Sequence, residues 1–196
     1  MSRMLTIGVL SLQGSVAEHM ETLQKLGTVN AVEVKTVEGI RSVDGLILPG
    51  GESTTTGKLL KIFGLEAPLK ERILGGMPVW GTCAGMILLA KRIEGENPHL
   101  GVMDITVRRN AYGRQAESFT ARCRVPEFGE QEIPLVFIRA PWVESAGDGV
   151  KVLLELDGHI AAVREGAMLA TSFHPELTEN LTVHRYFAEM VRKARQ

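Results

Sequence analysis

Short apolar segments alternate with helical patterns through the first half of the chain, and this alternation restricts the available folds most. Strands are expected at residues 4–12, 32–34 and 43–48, and again just before Gly81. Helical patterns lie at residues 15–26, with Ser15 as the candidate N-cap, and at 54–63 and 67–74. Strands that are apolar throughout and alternate with helices are typical of a parallel sheet covered on both faces. We therefore expect a three-layer α/β fold, with an open, mostly parallel sheet flanked by helices.

The second half of the chain contains shorter strands, separated by glycine, proline and charged turns. They are expected at residues 103–108, 118–125, 135–138, 150–156, 159–164 and 168–173. Asp157 and Gly158 form a two-residue hairpin signal between the fourth and fifth of these strands. An amphipathic helix over residues 181–194 follows. The short strands predict an antiparallel extension of the sheet.

Length and composition are those of an ordinary globular protein. The 196 residues suit a single domain spanning residues 1–196, and the hydrophobic share of 44% excludes disordered and fibrous classes. Basic residues number 22 against 23 acidic ones and are scattered, so nucleic acid is not expected as a partner. No apolar run approaches the roughly 18 residues of a membrane-spanning helix, so no membrane association is expected.

The two cysteines, Cys83 and Cys123, lack the spacing of a disulfide framework or a zinc site, and a cytoplasmic location is expected. Arg3 and the apolar residues after it imitate a secretory signal that ends at residues 15–17. Small and polar residues dilute that apolar run, so a first buried strand is expected there instead. Cys123 lies within an alternating strand pattern and is expected to be a core residue.

A Gly-x-Cys-x-Gly pattern at residues 81–85 is the first candidate for chemistry. It follows a short apolar segment and precedes an apolar run at residues 86–90, expected to form a helix that ends near Lys91. A strand, a sharp turn and a helix around Cys83 have the layout of a nucleophile elbow, with sulfur in place of the serine oxygen. The flanking small residues permit a strained turn, and the helix N-terminus favours a thiolate there. The alternative is a buried cysteine that serves packing alone.

A cysteine nucleophile needs a base and a group that orients the base, and residues 172–176 can supply both. Pro175 biases His174 toward an extended conformation, in which residues two apart project to the same side. Glu176 can then hold the imidazole tautomer while the other ring nitrogen of His174 faces Cys83. The alternative is a surface turn with an ordinary histidine and glutamate, which the pattern upstream at residues 81–85 disfavours.

Two glycines at residues 50–51 follow a buried strand, at the edge where ligands gather in open α/β sheets. Glycine there allows a backbone N–H to point into the crevice, so the N–H groups of Gly51 and Ala84 are the predicted oxyanion hole. Residues 51–58 also resemble a phosphate-binding loop. The spacing is one residue too long, however, and Leu59 stands where a serine or threonine would bind magnesium.

The chain resembles the class I glutamine amidotransferases in these patterns. The resemblance extends over the segments at residues 8–14, 48–55, 109–115, 137–141 and 172–178. The chain is more closely similar to the glutaminase subunits of pyridoxal 5'-phosphate synthase, over nearly its whole length. Residues 84–87 differ from the Leu-Gly-x-Gln of many other branches, which disfavours the anthranilate, GMP and carbamoyl-phosphate branches. Tyr112, where phenylalanine is expected, is a small departure. The resemblance implies a flavodoxin-like sheet of the amidotransferase type.

The resemblance also implies roles for individual residues. Cys83 is implied as the nucleophile, His174 as general base and then acid, and Glu176 as the group that orients His174. The residues implied to hold L-glutamine are Gly51, Glu52, Ser53, Arg109, Ile138 and Arg139. No metal or cofactor is implied, and ammonia would pass to a separate barrel-shaped synthase subunit that builds pyridoxal 5'-phosphate.

Several alternatives remain open from the residues themselves. Arg109 or Arg139 suits the α-carboxylate of a substrate. Without the resemblance, the simpler interpretation of each arginine is a solvated charge at a strand end. A related cysteine hydrolase of the same fold and a catalytically idle, regulatory module are the competing functions. The remaining histidines show no ligand spacing and are interpreted as structural or surface residues: His19, His99, His159 and His184.

Overall fold

The computed structural model describes residues 3–109, 111 and 118–196, and within them the chain forms an α/β structure. The strands are β1 (Leu5–Leu10), β2 (Val29–Val34), β3 (Gly45–Leu48), β4 (Val79–Thr82), β5 (Ala90–Ile93), β6 (Met103–Arg108), β7 (Ser118–Arg124), β8 (Glu132–Ile138), β9 (Trp142–Ala146), β10 (Lys151–Leu156), β11 (His159–Glu165) and β12 (Met168–Thr171). The helices are α1 (Val16–Leu26), α2 (Val37–Ser42), α3 (Ser53–Ile62), α4 (Glu66–Leu74), α5 (Ala84–Leu89) and α6 (Thr182–Ala194), with a single 3-10 turn at Pro175–Leu177.

The main sheet has a parallel half and a mixed half. Strands β2, β1, β3, β4 and β12 lie side by side in that order, and each pair is parallel. The sheet continues through β11, β9 and β6 in antiparallel pairs, and β5 lies parallel to β6 at the far edge. Strand β10 pairs with β11, and β7 and β8 form a separate hairpin. The predicted mostly parallel sheet with an antiparallel extension is confirmed.

Helices cover both faces of the parallel half. On one face, the core contains Ile40 of α2, Leu60 of α3 and Leu69 of α4. On the other face, Leu23 of α1 and Phe187 of α6 pack in a second core, which also receives apolar residues from the β7–β8 hairpin. All four residues of β3 and all four of β4 are buried, as expected for central strands with helices on both sides.

The topology leaves a crevice at one edge of the sheet. From β1 the chain moves outward to β2 and then returns to β3 on the opposite side of β1. The carboxyl ends of β1 and β3 therefore lie at a topological switch point, where ligands bind in open α/β sheets. Strands β4 and β12 run parallel to them and end at the same edge. The loops after all four strands meet there.

The hairpin prediction is confirmed. Leu156 on β10 pairs with His159 on β11, so the connection consists of two residues. Asp157 has a φ of 50° and Gly158 a φ of 80°, and both angles are positive, as a tight two-residue hairpin turn requires. The segment at residues 4–12 also forms the expected buried strand, because β1 is paired on both sides.

Four elements differ from the expectation. Helix α5 ends at Leu89 and not near Lys91, because the chain turns directly into β5, which pairs with β6. Helix α2 and strands β5 and β9 were not predicted. All three are short, and too few residues are present to show a period that distinguishes helix from strand. Pairing with β6 decided the conformation of the two strands, and α2 begins at Thr36, whose side chain accepts from the N–H of Gly39.

No helix in the described part of the chain combines the length and the apolar character needed to cross a bilayer.

Candidate active site

The loops at the carboxyl edge of the parallel strands enclose a cavity of about 590 Å³. All predicted site residues except Glu176 line it, and they are Gly51, Glu52, Ser53, Cys83, Ala84, Arg109, Ile138, Arg139 and His174. Glu176 is 5% exposed and lies behind His174. The fold thus brings together residues that are spread over more than half of the sequence.

Cys83 occupies a strained turn between β4 and α5. Its φ of 50° and ψ of −106° lie outside the regions that residues other than glycine usually adopt. The two glycines of the pattern allow this turn to pack. A β-carbon on Gly81 would lie 2.3 Å from the carbonyl oxygen of Gly85, and one on Gly85 would lie 2.1 Å from that of Leu48. The predicted elbow geometry is confirmed.

The sulfur of Cys83 faces the cavity from a well-held backbone. Its N–H donates to the carbonyl of Thr171 at 2.8 Å, which ties the elbow to β12, and its side chain is in contact with His174. Its Sγ lies 3.8 Å from the carbonyl oxygen of Ile138, at the end of the β7–β8 hairpin. Ala84 is the first residue of α5, so its N–H has no acceptor within the helix.

His174 and Glu176 form a short, buried hydrogen bond. Nδ1 of His174 lies 2.6 Å from Oε1 of Glu176, which leaves Nε2 for Cys83. Burial alone would lower the pKa of His174, but hydrogen bonds and charge from Cys83 and Glu176 raise it to about 10. Burial likewise opposes ionisation of Glu176, yet the histidines beside it, His19 and His174, lower its pKa to about 2. The pair therefore carries opposite charges at neutral pH.

The chain reaches this pairing by a route that differs from the prediction. His174 has a φ of −111° and a ψ of 84°, so the expected bias away from helix at the residue before Pro175 is confirmed. The extended conformation does not continue, however, because Pro175–Leu177 forms a 3-10 turn. The N–H of His174 donates to the carbonyl of Val136 at 2.8 Å, which fixes the turn against β8. The turn brings Glu176 back under the imidazole ring.

Ser15 lies at the N-cap position of α1, but its hydroxyl does not cap the helix. Its Oγ donates to Oε1 of Glu176 at 2.8 Å instead. The predicted N-cap position is confirmed, but the hydroxyl is turned toward the buried carboxylate and accepts no helix N–H. Ser15, at the start of α1, therefore belongs to the site.

The loop after β3 packs directly against the cysteine and the histidine. The N–H of Gly50 donates to Oγ1 of Thr82 at 3.1 Å, and its carbonyl accepts from the N–H of Ser15 at 3.0 Å. The N–H of Glu52 donates to Oε1 of Gln13 at 2.8 Å. Among the residues that the structure describes, the N–H of Gly51 has no acceptor, and Gly51 lines the cavity.

The phosphate-loop alternative does not fit the structure. Such a loop wraps an anion with irregular backbone, whereas residues from Ser53 onward belong to α3. Gly57 lies within this helix, and a β-carbon on it would be 2.2 Å from Nδ1 of His99. This glycine therefore serves packing between α3 and the loop that carries His99.

The two predicted arginines have different surroundings. Nη1 of Arg109 lies 2.8 Å from Oε1 of Glu96 and 3.0 Å from Oγ1 of Thr54, so its charge is already paired. Arg139 has a φ of 44°, lines the cavity and has no acidic partner among the described residues. Of the segment 109–115 that contributed to the resemblance, residue 110 and residues 112–115, with Tyr112, lie outside the described residues.

Sequence reasoning missed several residues of the site. Gln13, Gly14, Ser15, Ile87 and Leu177 line the cavity as well. Gln13, Gly14 and Ser15 could have been predicted from the sequence, because they lie in the loop after β1, at the same sheet edge as Gly50 and Gly51. His19 and His184, interpreted as structural or surface residues, are fully buried, and His19 lies beside Glu176. No pattern in the sequence marked these two histidines.

Neither cysteine forms a disulfide, and Cys123 is half-buried on β7. In the described part of the chain, no group of three or more histidine, cysteine or acidic side chains is arranged to hold a metal ion.

Comparison with known proteins identifies the relatives of the chain. The model of the SNO glutamine amidotransferase family matches residues 9–193. A protein of Ruminiclostridium cellulolyticum, named pyridoxal 5'-phosphate synthase subunit PdxT, is 56% identical over 189 residues, which cover 96% of this chain and 100% of that protein. A protein of Dehalococcoides mccartyi with the same name is 54% identical over 193 residues, covering 96% and 98% of the two chains.

A solved structure has the same fold. The crystal structure of a glutamine amidotransferase matches with a TM-score of 0.89 at 48% identity, covering 95% of this chain and 98% of that one. The resemblance inferred from the sequence is thereby confirmed for the family and for the fold. The chain belongs to the SNO glutamine amidotransferase family.

Proposed function

We propose that this chain hydrolyses the side-chain amide of L-glutamine to L-glutamate and ammonia, as the glutaminase subunit of a pyridoxal 5'-phosphate synthase. The observation that carries the proposal is the position of His174, between the thiol of Cys83 and the buried carboxylate of Glu176 in one cavity. Relatives that match this chain over nearly their full length are named as subunits of that synthase, which supports the same assignment here.

The first half of the reaction forms a thioester. His174 takes the proton of Cys83, and the thiolate attacks the amide carbon of glutamine. The oxyanion that develops accepts hydrogen bonds from the N–H groups of Gly51 and Ala84. The carbon–nitrogen bond then breaks while His174 returns the proton to the nitrogen, and ammonia leaves.

The second half of the reaction restores the enzyme. His174, now neutral, takes a proton from a water molecule, which attacks the thioester carbon. The carbon–sulfur bond breaks, the new carboxylic acid gives its proton to solvent and leaves as glutamate, and Cys83 and His174 return to the thiolate and imidazolium forms. Glu176 keeps one imidazole tautomer and stabilises the positive charge at each stage, which is the function of the third group in a triad.

The cavity supplies partners for the rest of the substrate. Arg139 is the guanidinium without an acidic partner among the described residues, and we assign the α-carboxylate of glutamine to it, with Arg109 beside it. The backbone at Gly51, Glu52, Ser53 and Ile138 encloses the remaining polar atoms.

The ammonia is consumed by a second polypeptide. We propose that the chain acts as a single domain over residues 1–196, in the cytoplasm, together with a separate synthase subunit. The hydrolysis uses groups of this chain and water, while the relatives are named as subunits of a larger synthase.

The test is glutamate release from glutamine, measured with and without a synthase subunit. Cys83→Ala removes the nucleophile and is expected to abolish glutamate release in the complex. Cys123→Ala, which removes the half-buried thiol of β7, is the matched control and should leave the rate unchanged. Release at the wild-type rate by the Cys83→Ala chain would show that another group performs the hydrolysis.

A further inference from the structure

A buried histidine pair lies directly behind the carboxylate of Glu176. His19 on α1 and His184 on α6 are both fully buried, and Nδ1 of His19 lies 2.9 Å from Nε2 of His184. The other ring nitrogen of His19, Nε2, lies 3.6 Å from Oε2 of Glu176 and 3.3 Å from Oγ1 of Thr82. The reaction described above uses neither histidine.

The two oxygens of Glu176 have different surroundings. Oε1 accepts from His174 at 2.6 Å and from Ser15 at 2.8 Å. Oε2 is buried and, among the residues described, has no hydrogen-bond partner within 3.5 Å. Burying an ionised oxygen without a hydrogen-bond donor costs free energy. A ring N–H that faces the oxygen therefore stabilises the ionised carboxylate. Nε2 of His19 is in that position.

The negative charge of Glu176 favours one tautomer for each histidine. A protonated Nε2 of His19 directs an N–H at the carboxylate, whereas an unprotonated Nε2 would set its lone pair against the negative oxygen. Nδ1 of His19 then accepts the Nε2–H of His184. His184 therefore holds the tautomer of His19, as Glu176 holds the tautomer of His174.

Aromatic packing surrounds both histidines, and burial favours their neutral forms. The indole of Trp80 packs in a T-shaped arrangement against His19, with ring centroids 5.6 Å apart, and against His184 at 4.8 Å. Burial lowers the pKa of His19, against the opposing effect of Glu176, and burial lowers the pKa of His184 well below its ordinary value. His19 thus provides a donor and not a second cation, and the charge of Glu176 remains available to His174.

We propose that His19, with its tautomer set by His184, is a positioning residue that holds the carboxylate of Glu176 against the imidazole of His174. The proposal rests on the proposed glutaminase reaction, because the carboxylate affects turnover only through the protons that His174 carries.

The first test compares three substitutions in α1, in the full chain with its synthase partner. His19→Met fills the space without a donor, whereas His19→Gln places an amide N–H near the position of Nε2. Thr22→Val is the control, because Thr22 is buried on the same helix and its hydroxyl bonds the carbonyl of Glu18. We expect kcat to fall about 10- to 100-fold in His19→Met with KM unchanged, as for the loss of an N–H that faces a buried charge, and to recover in His19→Gln.

The second test does not depend on catalysis. The 2.6 Å hydrogen bond between His174 and Glu176 should give a far-downfield proton resonance in the NMR spectrum of the free chain, assigned by its loss in His174→Gln. We expect His19→Met to move this resonance upfield and to shift the titration of His174 to lower pH. The titratable groups that face His19, His174 or Glu176 are Glu18, Cys83 and His184. His19→Gln and Thr22→Val should leave both signals near their wild-type values.

The outcomes separate this proposal from the proposed function. A folded His19→Met chain with wild-type kcat and an unmoved resonance would overturn the proposal, and so would equal losses in His19→Met and His19→Gln. If His19→Met does not fold, His184→Leu replaces it as the test, because this substitution removes the group that sets the tautomer of His19. An unmoved proton resonance in His184→Leu would also overturn the proposal. A wild-type complex without glutamate release would contradict the glutaminase assignment, while the NMR comparison would still decide the role of His19.

Discussion

The α-carbon of Gly50 lies so close to the imidazole of His174 that a β-carbon on it would be 2.4 Å from Cε1 and 3.0 Å from Nδ1. The same β-carbon would lie 3.3 Å from Cβ of Cys83. The loop after β3 therefore packs against both reacting side chains, and only glycine fits between them.

We expect Gly50→Ala to push His174 out of line with Cys83 and Glu176. A displacement of about 1 Å is enough to lower kcat roughly 100-fold, while the sheet itself should remain folded. Glutamate release by the complex measures kcat, and circular dichroism of the complex shows whether the sheet remains folded. Gly149→Ala is the matched control, since its β-carbon would meet Oε1 of Glu165 only at 4.0 Å. Wild-type kcat in Gly50→Ala would contradict the packing described here.

The high pKa of His174 predicts activity at alkaline pH. Because the imidazolium must protonate the departing ammonia, kcat/KM should fall only as the pH rises through the His174 pKa of about 10, and not near the ordinary value of 6.5. A pH profile of glutamate release measures this limb. A fall in kcat/KM near neutral pH would contradict the ion pair between His174 and Glu176.

The same pKa predicts how the folding stability changes with pH. The value is raised on folding, so protonation of His174 stabilises the folded chain fully below pH 6.5, and this contribution is lost as the pH rises through about 10. The free energy of unfolding of the wild-type chain should decrease over this interval. A Cys83→Ala chain, which lacks one of the two charges that raise the pKa, should lose stability at a lower pH. Identical pH dependences of the two chains would argue against the coupling.

Glu176→Gln removes the carboxylate charge and keeps nearly the same shape. We expect the pKa of His174 to move down toward its ordinary value of 6.5, because one of its two sources of negative charge is gone. The basic limb of the pH profile should follow it, and kcat should fall roughly 100-fold or more, as for other triads that lose the orienting carboxylate. Glu179→Gln is the control, since Glu179 is exposed and pairs with Lys25. An unmoved basic limb in Glu176→Gln would contradict this role.

Arg139→Gln tests the assignment of the substrate carboxylate. Loss of a charged hydrogen bond to the ground state and the transition state alike should raise KM about 10- to 100-fold, with kcat little changed. Arg109→Gln should raise KM less, because Arg109 is already paired with Glu96. Steady-state kinetics of the two variants distinguish them, and a larger effect in Arg109→Gln would reverse the assignment.

Gly85→Ala tests the packing of the elbow. A β-carbon at this position would lie 2.1 Å from the carbonyl oxygen of Leu48 in the centre of the sheet, where the backbone cannot move away. We expect the free energy of unfolding to fall by about 3 kcal/mol, the upper range for overpacking. Urea denaturation followed by circular dichroism measures it, with Gly149→Ala again as the control. An unchanged midpoint would mean that α5 can shift away from β3.

The parallel half of the sheet was predictable because its strands carry a local signal. Apolar residues follow Gly45 throughout β3 and stop at Pro49, and the apolar residues of β4, Val79 and Trp80, lie between Pro78 and Gly81. The elbow at Cys83 was predictable for a similar reason, since its geometry needs glycines at Gly81 and Gly85 whatever lies around it. Strand β9 was missed because its partners β6 and β11 are distant in sequence, and α2 was missed because it is too short to show a helical period.

The sequence by itself determined the chemical groups and their local geometry: a cysteine in a turn that requires glycine, a histidine held from helix by Pro175, and a carboxylate two residues later. Only the tertiary structure decided which groups surround them. Ser15 bonds Glu176 rather than its own helix, and His19 and His184 come together behind that carboxylate from α1 and α6. The physical reason is that backbone conformation follows from near neighbours along the chain, whereas the partner of a buried polar atom is set by the packing of whole helices on the sheet.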